Sequence, residues 1–243
     1  MFAMDKNLEL PIKDPVWEQF FLKFGIAPAL YTDMAKLTEK LKENTTLLSY
    51  IPTANLFYIR SDPYYTPIAN AIFSMSSNSK ISSLLVVAKK SPIQTLAQLK
   101  GKALGYIHPF CTTSYFSPAL LLWRNHFSIH KFFSLLKQVG AWQSQIEAVI
   151  SGEVDATMVS EDVWLKLPRN AELTKIIARE ENLPCPLIVV GKGIDKTLLK
   201  ELKEILFSYK PIAHSKDMFN GFIPYQKEQT EKFFSESEQA FAK

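Results

Sequence analysis

Residues 81–88 contain the unbroken apolar run Leu84, Leu85, Val86, Val87, rich enough in β-branched residues to read as a strand buried on both faces. A strand of that kind needs covering elements above and below it. The rest of the chain supplies them, because strand-like and helix-like stretches alternate along it, the pattern of a mainly parallel sheet with helices on both faces.

The punctuation of these stretches supports the alternation. Asp14 and Pro15 form an N-cap and first-turn pair, after which Val16, Trp17, Phe20, Phe21 and Phe24 fall on one helical face and Gly25 closes the helix. Residues 29–31 read as a short strand, 32–44 as a helix with Met34, Leu37 and Leu41 inward, 45–50 as a strand and 52–55 as a loop. Beyond the central run, Ser91 and Pro92 open a helix that ends at Gly101, residues 103–107 return to strand, 108–114 form a loop, and a helix follows with Leu120, Leu121, Leu122 and Trp123. A helix carrying Ile146, Val149 and Ile150 runs between Gly140 and Gly152, then a strand at 154–159 and a short helix at 161–167. Residues 173–178 and 187–190 are further strands, 195–209 is an amphipathic helix with Leu198, Leu199, Leu202, Ile205 and Leu206 inward, and the last helix spans 226–242. There is no internal repeat and no low-complexity linker, so any division into lobes is made by the chain crossing between them.

Composition narrows the function classes. With 243 residues, 47% hydrophobic and 21% charged, the chain can bury a large core, as one big domain or two small lobes. Lys plus Arg exceed Asp plus Glu by only 28 to 24, with no basic run, so a nucleic-acid partner is not expected. No run of about 18 apolar residues is present, so no membrane-spanning helix is expected. Residues 1–15 carry Asp5, Lys6, Glu9, Lys13 and Asp14 and no apolar core of a secretory signal, which is therefore absent or removed. Cys111 and Cys185 match no zinc spacing, and His108, His126 and His130 show no ligand pattern, so neither metal nor cofactor is expected.

One loop has the chemistry of an anion site. Thr112, Thr113 and Ser114 precede a helix, where hydroxyls and unpaired backbone N–H groups favour negative charge. The same residues also suit a plain helix cap.

Residues 91–118, SPIQTLAQLKGKALGYIHPFCTTSYFSP, resemble the segment of phosphonate-type solute receptors of ABC importers in which Leu-x-x-Leu-Lys-Gly-Lys leads into a strand and a Ser-Thr-Ser-Gly loop. Residues 138–162, with VGAWQSQIEAVISGEVDATMVSED, are similar to that family's Val-Gly-x-His helix and Gly-x-Val-Asp-Ala strand, and residues 183–205 to its returning hinge strand and following helix. The resemblance covers about residues 45–206, while the family's first strand is hard to place. It implies a two-lobed α/β fold of the type 2 periplasmic-binding-protein kind, with mixed sheets flanked by helices and a ligand cleft between lobes. The corresponding division is residues 1–88 plus 188–243 for the first lobe and 89–187 for the second, with hinge crossings near 84–90 and 184–190.

The resemblance also implies a ligand set. Cys111, Thr112, Thr113 and Ser114 would face the ligand, Glu161 would meet an ammonium group, and Thr53, Asn55 and Tyr58 would close from the first lobe. Three departures shift the chemistry. The family's first loop Ser is Cys111, its loop Gly is Ser114, and its His is Trp142, a residue that fits core and cleft equally well. A second acidic contact maps to Cys185, so half of an ammonium clamp is missing and the pocket moves toward a more apolar ligand. Cys111 and Cys185 both fall on cleft-lining positions, where they are either neighbours able to form a disulfide or two buried thiols, the commoner state of free cysteine.

The function implied is capture of a small phosphonate- or phosphate-like ligand by lobe closure, for delivery to an ABC permease, by a monomer that is periplasmic if a signal has been removed and cytoplasmic otherwise. The alternative is an enzyme on the same fold, of the menaquinone- or thiamine-pathway type, for which Cys111 with nearby His108 is the one candidate pair. A transcription-regulator effector domain lacks a preceding helix-turn-helix segment.

Overall fold

In the computed structural model, which describes residues 2–5, 15–73, 80–210 and 219–242, Leu84 to Val87 are buried to within 1% at the heart of a strand. The chain divides into two compact units, residues 1–79 with 184–227 and residues 80–183 with 228–243.

The first unit begins with β1 (Phe2–Asp5), α1 (Pro15–Lys23), β2 (Pro28–Tyr31), α2 (Met34–Lys42), β3 (Leu48–Ile51), α3 (Thr53–Ile59) and β4 (Tyr65–Phe73). The second runs through β5 (Lys80–Ala88), β6 (Ala103–Tyr106), α4 (Ser117–Arg124), α5 (Ile129–Phe132), β7 (Leu135–Gln138), α6 (Trp142–Ser151), β8 (Ala156–Ser160), α7 (Glu161–Leu165), α8 (Pro168–Leu173) and β9 (Thr174–Pro184). The chain then returns to the first unit with β10 (Leu187–Gly191), α9 (Lys196–Ser208) and β11 (Phe219–Pro224), and finishes in the second with α10 (Lys227–Ala242).

Each unit holds one sheet, ordered β11-β4-β10-β3-β1-β2 in the first and β7-β6-β8-β5-β9 in the second. Both are mixed. The β1 pairings with β2 and β3 are parallel, and those of β10 with β3 and β4 antiparallel; β6 runs parallel to β7 and β8, while β5 opposes β8. The alternation therefore holds, but the strands that return between units insert antiparallel.

The helix limits follow from capping. Asp33 accepts the N–H groups of Ala35 and Lys36 at the start of α2, and Asp195 accepts those of Thr197 and Leu198 at the start of α9. Gly152, at φ +79, ends α6 in the left-handed conformation that a side chain resists. In the first unit Trp17, fully buried, packs its indole against Phe20, Phe21, Tyr209 and Phe222, joining α1, the end of α9 and β11. Asp14, the expected cap of α1, lies outside the described residues.

Several expectations are corrected. Residues 52–55 are not a loop but the first turn of α3, where the Asn55 N–H donates to the Pro52 carbonyl. The helix expected between Ser91 and Gly101 shrinks to a 3-10 turn, Leu96–Leu99, closed by a Thr95–Gln98 capping box. A strand, β1, lies within the terminal segment that the sequence presents as merely charged. The unit limits also differ from the expected lobes. β5 pairs with β8 and so lies in the second unit, and α10 packs Phe233 and Phe241 against Phe116 there instead of joining the first.

Candidate functional site

In the second unit, β6 ends at Tyr106 and the chain turns into a π-helical turn, Thr112–Phe116, that runs straight on into α4. This turn carries the expected anion loop, and it is pinned to the strands around it. The Ile107 N–H donates to Ser114 Oγ at 3.1 Å, and Ser83 Oγ, on β5, donates to the carbonyls of Thr113 at 2.9 Å and of Val159, on β8, at 3.3 Å. Cys111 is the N-cap, its sulfur accepting the Ser114 N–H at 3.4 Å and lying 3.5 Å from Thr113 Oγ1. The Tyr115 and Phe116 N–H groups both donate to the Cys111 carbonyl, so the usual four-residue step is stretched to five at the turn.

The first turn of any helix leaves N–H groups without intrahelical acceptors, and here the Thr113 N–H has no acceptor among the described residues. Thr112 and Thr113 are 6% and 8% exposed, and Ser114 is fully buried. The four residues thus divide their work. Ser114 and Cys111 hold the turn together, and Thr113 is tied in through its Oγ1 at the Cys111 sulfur and its carbonyl at Ser83. Behind them, Tyr115 stacks on Phe241 and lies 5.1 Å from the Tyr106 ring, and burial, helped by Tyr106, raises its phenol above the ordinary tyrosine range, so it stays a neutral donor.

The other expected residues of this unit are placed less simply. Trp142 is the first residue of α6 and is half-buried. Glu161 opens α7, but its carboxylate is held by both terminal nitrogens of Arg179, on β9, at 2.6 Å each. That pairing raises the Arg179 pKa further, and it gives Glu161 a cationic partner already within the chain.

In the first unit, Thr53 and Cys185 come together across the sequence. Thr53 Oγ1 donates to the Cys185 carbonyl at 2.7 Å, and Asn70 Nδ2 donates to the same oxygen at 3.2 Å. Asn55 Nδ2 donates to Thr38 Oγ1 at 2.8 Å, while its own Oδ1 is buried without a hydrogen-bond partner among the described residues. Thr53 and Asn55 are fully buried, and Tyr58 is 40% exposed with its ring edge-on to Phe57. Cys111 and Cys185 are free thiols, both buried, and belong to different units. Among the described residues no group of three or more His, Cys, Asp or Glu side chains could hold a metal ion.

Ser83, Asn70 and Arg179 escape sequence reasoning. Ser83 alone left a signal, a hydroxyl within an otherwise apolar buried strand, where it needs an acceptor. Arg179 was one charge among many until the sheet set it beside Glu161.

The chain matches, over residues 22–230, the family model described as ABC transporter, phosphonate, periplasmic substrate-binding protein. No curated protein sequence gives a significant match. Among solved structures it is similar to XAC2383 from Xanthomonas citri bound to ATP, with a TM-score of 0.79 at 16% identity, covering 99% of this chain and 97% of that one. It is also similar to PhnD1 from Prochlorococcus marinus in complex with methylphosphonate, with a TM-score of 0.76, 16% identity and 98% and 97% covered. A binding protein component of an ABC phosphonate transporter from Pseudomonas aeruginosa gives a TM-score of 0.74, 16% identity and 98% and 86% covered.

Proposed function

The chain belongs to the periplasmic substrate-binding proteins of phosphonate-type ABC transporters, and we propose that within this family it takes a small oxyanion, a phosphonate or phosphate group, on the turn that begins at Thr112. The observation that carries this reading is the Thr113 N–H, which has no acceptor among the described residues and stands at the start of a continuous helix beside two threonine hydroxyls. The turn is held from behind by Ser83 and Ser114, so its donors are fixed in place before any ligand arrives.

The remaining residues set the character of the ligand. Cys185 carries no charge, and Glu161 is paired with Arg179, so neither of the two positions proposed for an ammonium clamp offers a free carboxylate. Trp142, standing at the start of α6, brings apolar surface instead. The reading is therefore an oxyanion on an uncharged or apolar body, with methylphosphonate as the simplest probe. Thr53, Asn55 and Tyr58, all on α3, are the first unit's members of the proposed set, and closure of the units on the ligand is part of the proposal. An ABC permease would receive the closed form, and the monomer acts in the periplasm, as its family does. We read the chain as a carrier, the role of the family whose model it matches.

A thermal-shift screen against methylphosphonate, inorganic phosphate, phosphate esters and neutral ring compounds tests the reading, because a ligand bound only by the native state raises its apparent stability. The expected result is a rise with oxyanions that disappears in the Thr112→Ala/Thr113→Ala variant. A rise with neutral ring compounds alone, unaffected by that variant but lost in Trp142→Ala, would contradict it.

A further inference from the structure

We propose that the second unit carries a separate anion site, at the far end of α4, that takes a phosphate monoester with a flat apolar body. The site consists of two cavities that share His126. One, of about 370 Å³, is lined by Lys100, His126, Ser128 and Lys131 together with the rings of Phe127 and Phe132. The other, of about 600 Å³, is lined by Trp123, Arg124, His126, Gln239 and Ala242 and is the more apolar of the two.

Charge is the first argument. Neither cavity has a carboxylate among its lining residues. Arg124 is already committed to Glu180 and Glu236, but the side chains of Lys100 and Lys131 make no ion pair and no hydrogen bond among the described residues, and neither does the His126 ring. Cations elsewhere on this unit do find acids, as Lys137 does with Glu153 and Arg169 with Glu147, so two unneutralised lysines facing one cavity form a local excess of positive charge.

The polar groups between them agree. The Ser128 hydroxyl oxygen is shielded from solvent and has no hydrogen-bond partner among the described residues, a donor and acceptor left over at the wall of the cavity. The one local feature that would repel an anion, the carbonyl end of α4, is blunted. The Leu121, Leu122 and Trp123 carbonyls accept the N–H groups of Asn125, His126 and Phe127, and Asn125 Nδ2 adds a bond to Leu121.

The second cavity decides the ligand class. Trp123 is half-buried and the cavity it lines has no carboxylate among its lining residues, so the surface next to the basic cavity suits an aromatic ring more than bulk solvent. A phosphate in the first cavity with a ring on Trp123 uses both, with His126 between them. A soluble aromatic phosphate ester supplies both parts, while the headgroup of an anionic lipid supplies the phosphate alone. The site lies on residues distinct from the turn at Thr112 and does not rest on the ligand proposed there.

The test is a ¹H–¹⁵N NMR titration of the full chain with phenyl phosphate. Shifts are expected in the amides of residues 126–132 and in the Trp123 indole N–H, with inorganic phosphate weaker and phenol inert. Lys100→Ala/Lys131→Ala, two exposed positions, should weaken phenyl phosphate on the order of tenfold at these signals while Thr112→Ala/Thr113→Ala leaves them unchanged. Trp123→Leu should bring phenyl phosphate down to the affinity of inorganic phosphate. Co-sedimentation with phosphatidic acid vesicles that is lost in the lysine variant would assign the phosphate to a lipid; retention of phenyl phosphate binding without sedimentation would assign it to a soluble ester. Shifts confined to residues 111–114, or an unchanged affinity in the lysine variant, would overturn the proposal.

Discussion

Tyr65 shows how much a single buried polar group can be made to report. Its ring is 7% exposed on β4 and its hydroxyl donates to the Leu41 carbonyl at 2.8 Å, which ties the sheet to the last turn of α2. Burial, with the nearby Tyr64 and Asp62 charges adding to it, pushes its pKa up to about 12. The fold therefore favours the neutral phenol. The stability this contributes is fully present below the ordinary tyrosine pKa of about 10 and is lost as pH rises through about 12. Tyr65→Phe should cost about 1 kcal/mol in urea unfolding at pH 8, and the gap to the natural protein should close between pH 10 and pH 12. An equal gap at both ends of that range would contradict the assignment. The residue-level reading of the site was uneven for a related reason. Thr112, Thr113 and Ser114 were legible because a helix start with hydroxyls has a known chemistry, whereas the Glu161–Arg179 pair joins positions 18 residues apart that only the path of β9 brings together.

Among the elements, those with a strong local signal were the legible ones. The amphipathic helices α2, α6 and α9 and the buried strands β5 and β10 sit within a few residues of where periodicity and capping put them. β4 was missed because Pro67 lies inside it, and proline removes a ladder donor. The sheet accommodates it at a register shift, where Ile188 faces Ala69 and Val189 skips to Pro67. α10 was found but misassigned, since nothing in its own sequence says which core its phenylalanines join. Its place in the second unit is fixed by packing on Phe116 and by one ionic hub: Arg124, at the end of α4, pairs with Glu180 on β9 and with Glu236 on α10. Glu180 is 3% exposed, so removing its partner strands a buried charge. Arg124→Met should destabilise the protein by about 3 kcal/mol, and adding Glu180→Gln should recover part of that. Chemical denaturation of the two variants decides it, and a single variant as stable as the natural protein would show that the hub is solvated.

At the level of the whole molecule, the chain crosses between units three times, the second crossing falling at the end of β9 and the third in the first turn of α10. The two groups of candidate residues are divided accordingly. Residues 111–114, Trp142 and Glu161 stand in the second unit, and Thr53, Asn55, Tyr58 and Cys185 in the first. The two-lobed plan was readable from the resemblance of its motifs, but the limits of the units were not, because they depend on which strand pairs with which. The proposed chemistry narrows to the turn at Thr112, where among the described residues the Thr113 N–H has no acceptor. Isothermal titration calorimetry of the full chain with methylphosphonate measures that directly. The account predicts saturable binding with one site per chain, weakened at least about tenfold by Thr112→Ala/Thr113→Ala, as the loss of charge-assisted bonds requires. Binding of equal strength in that variant would contradict it.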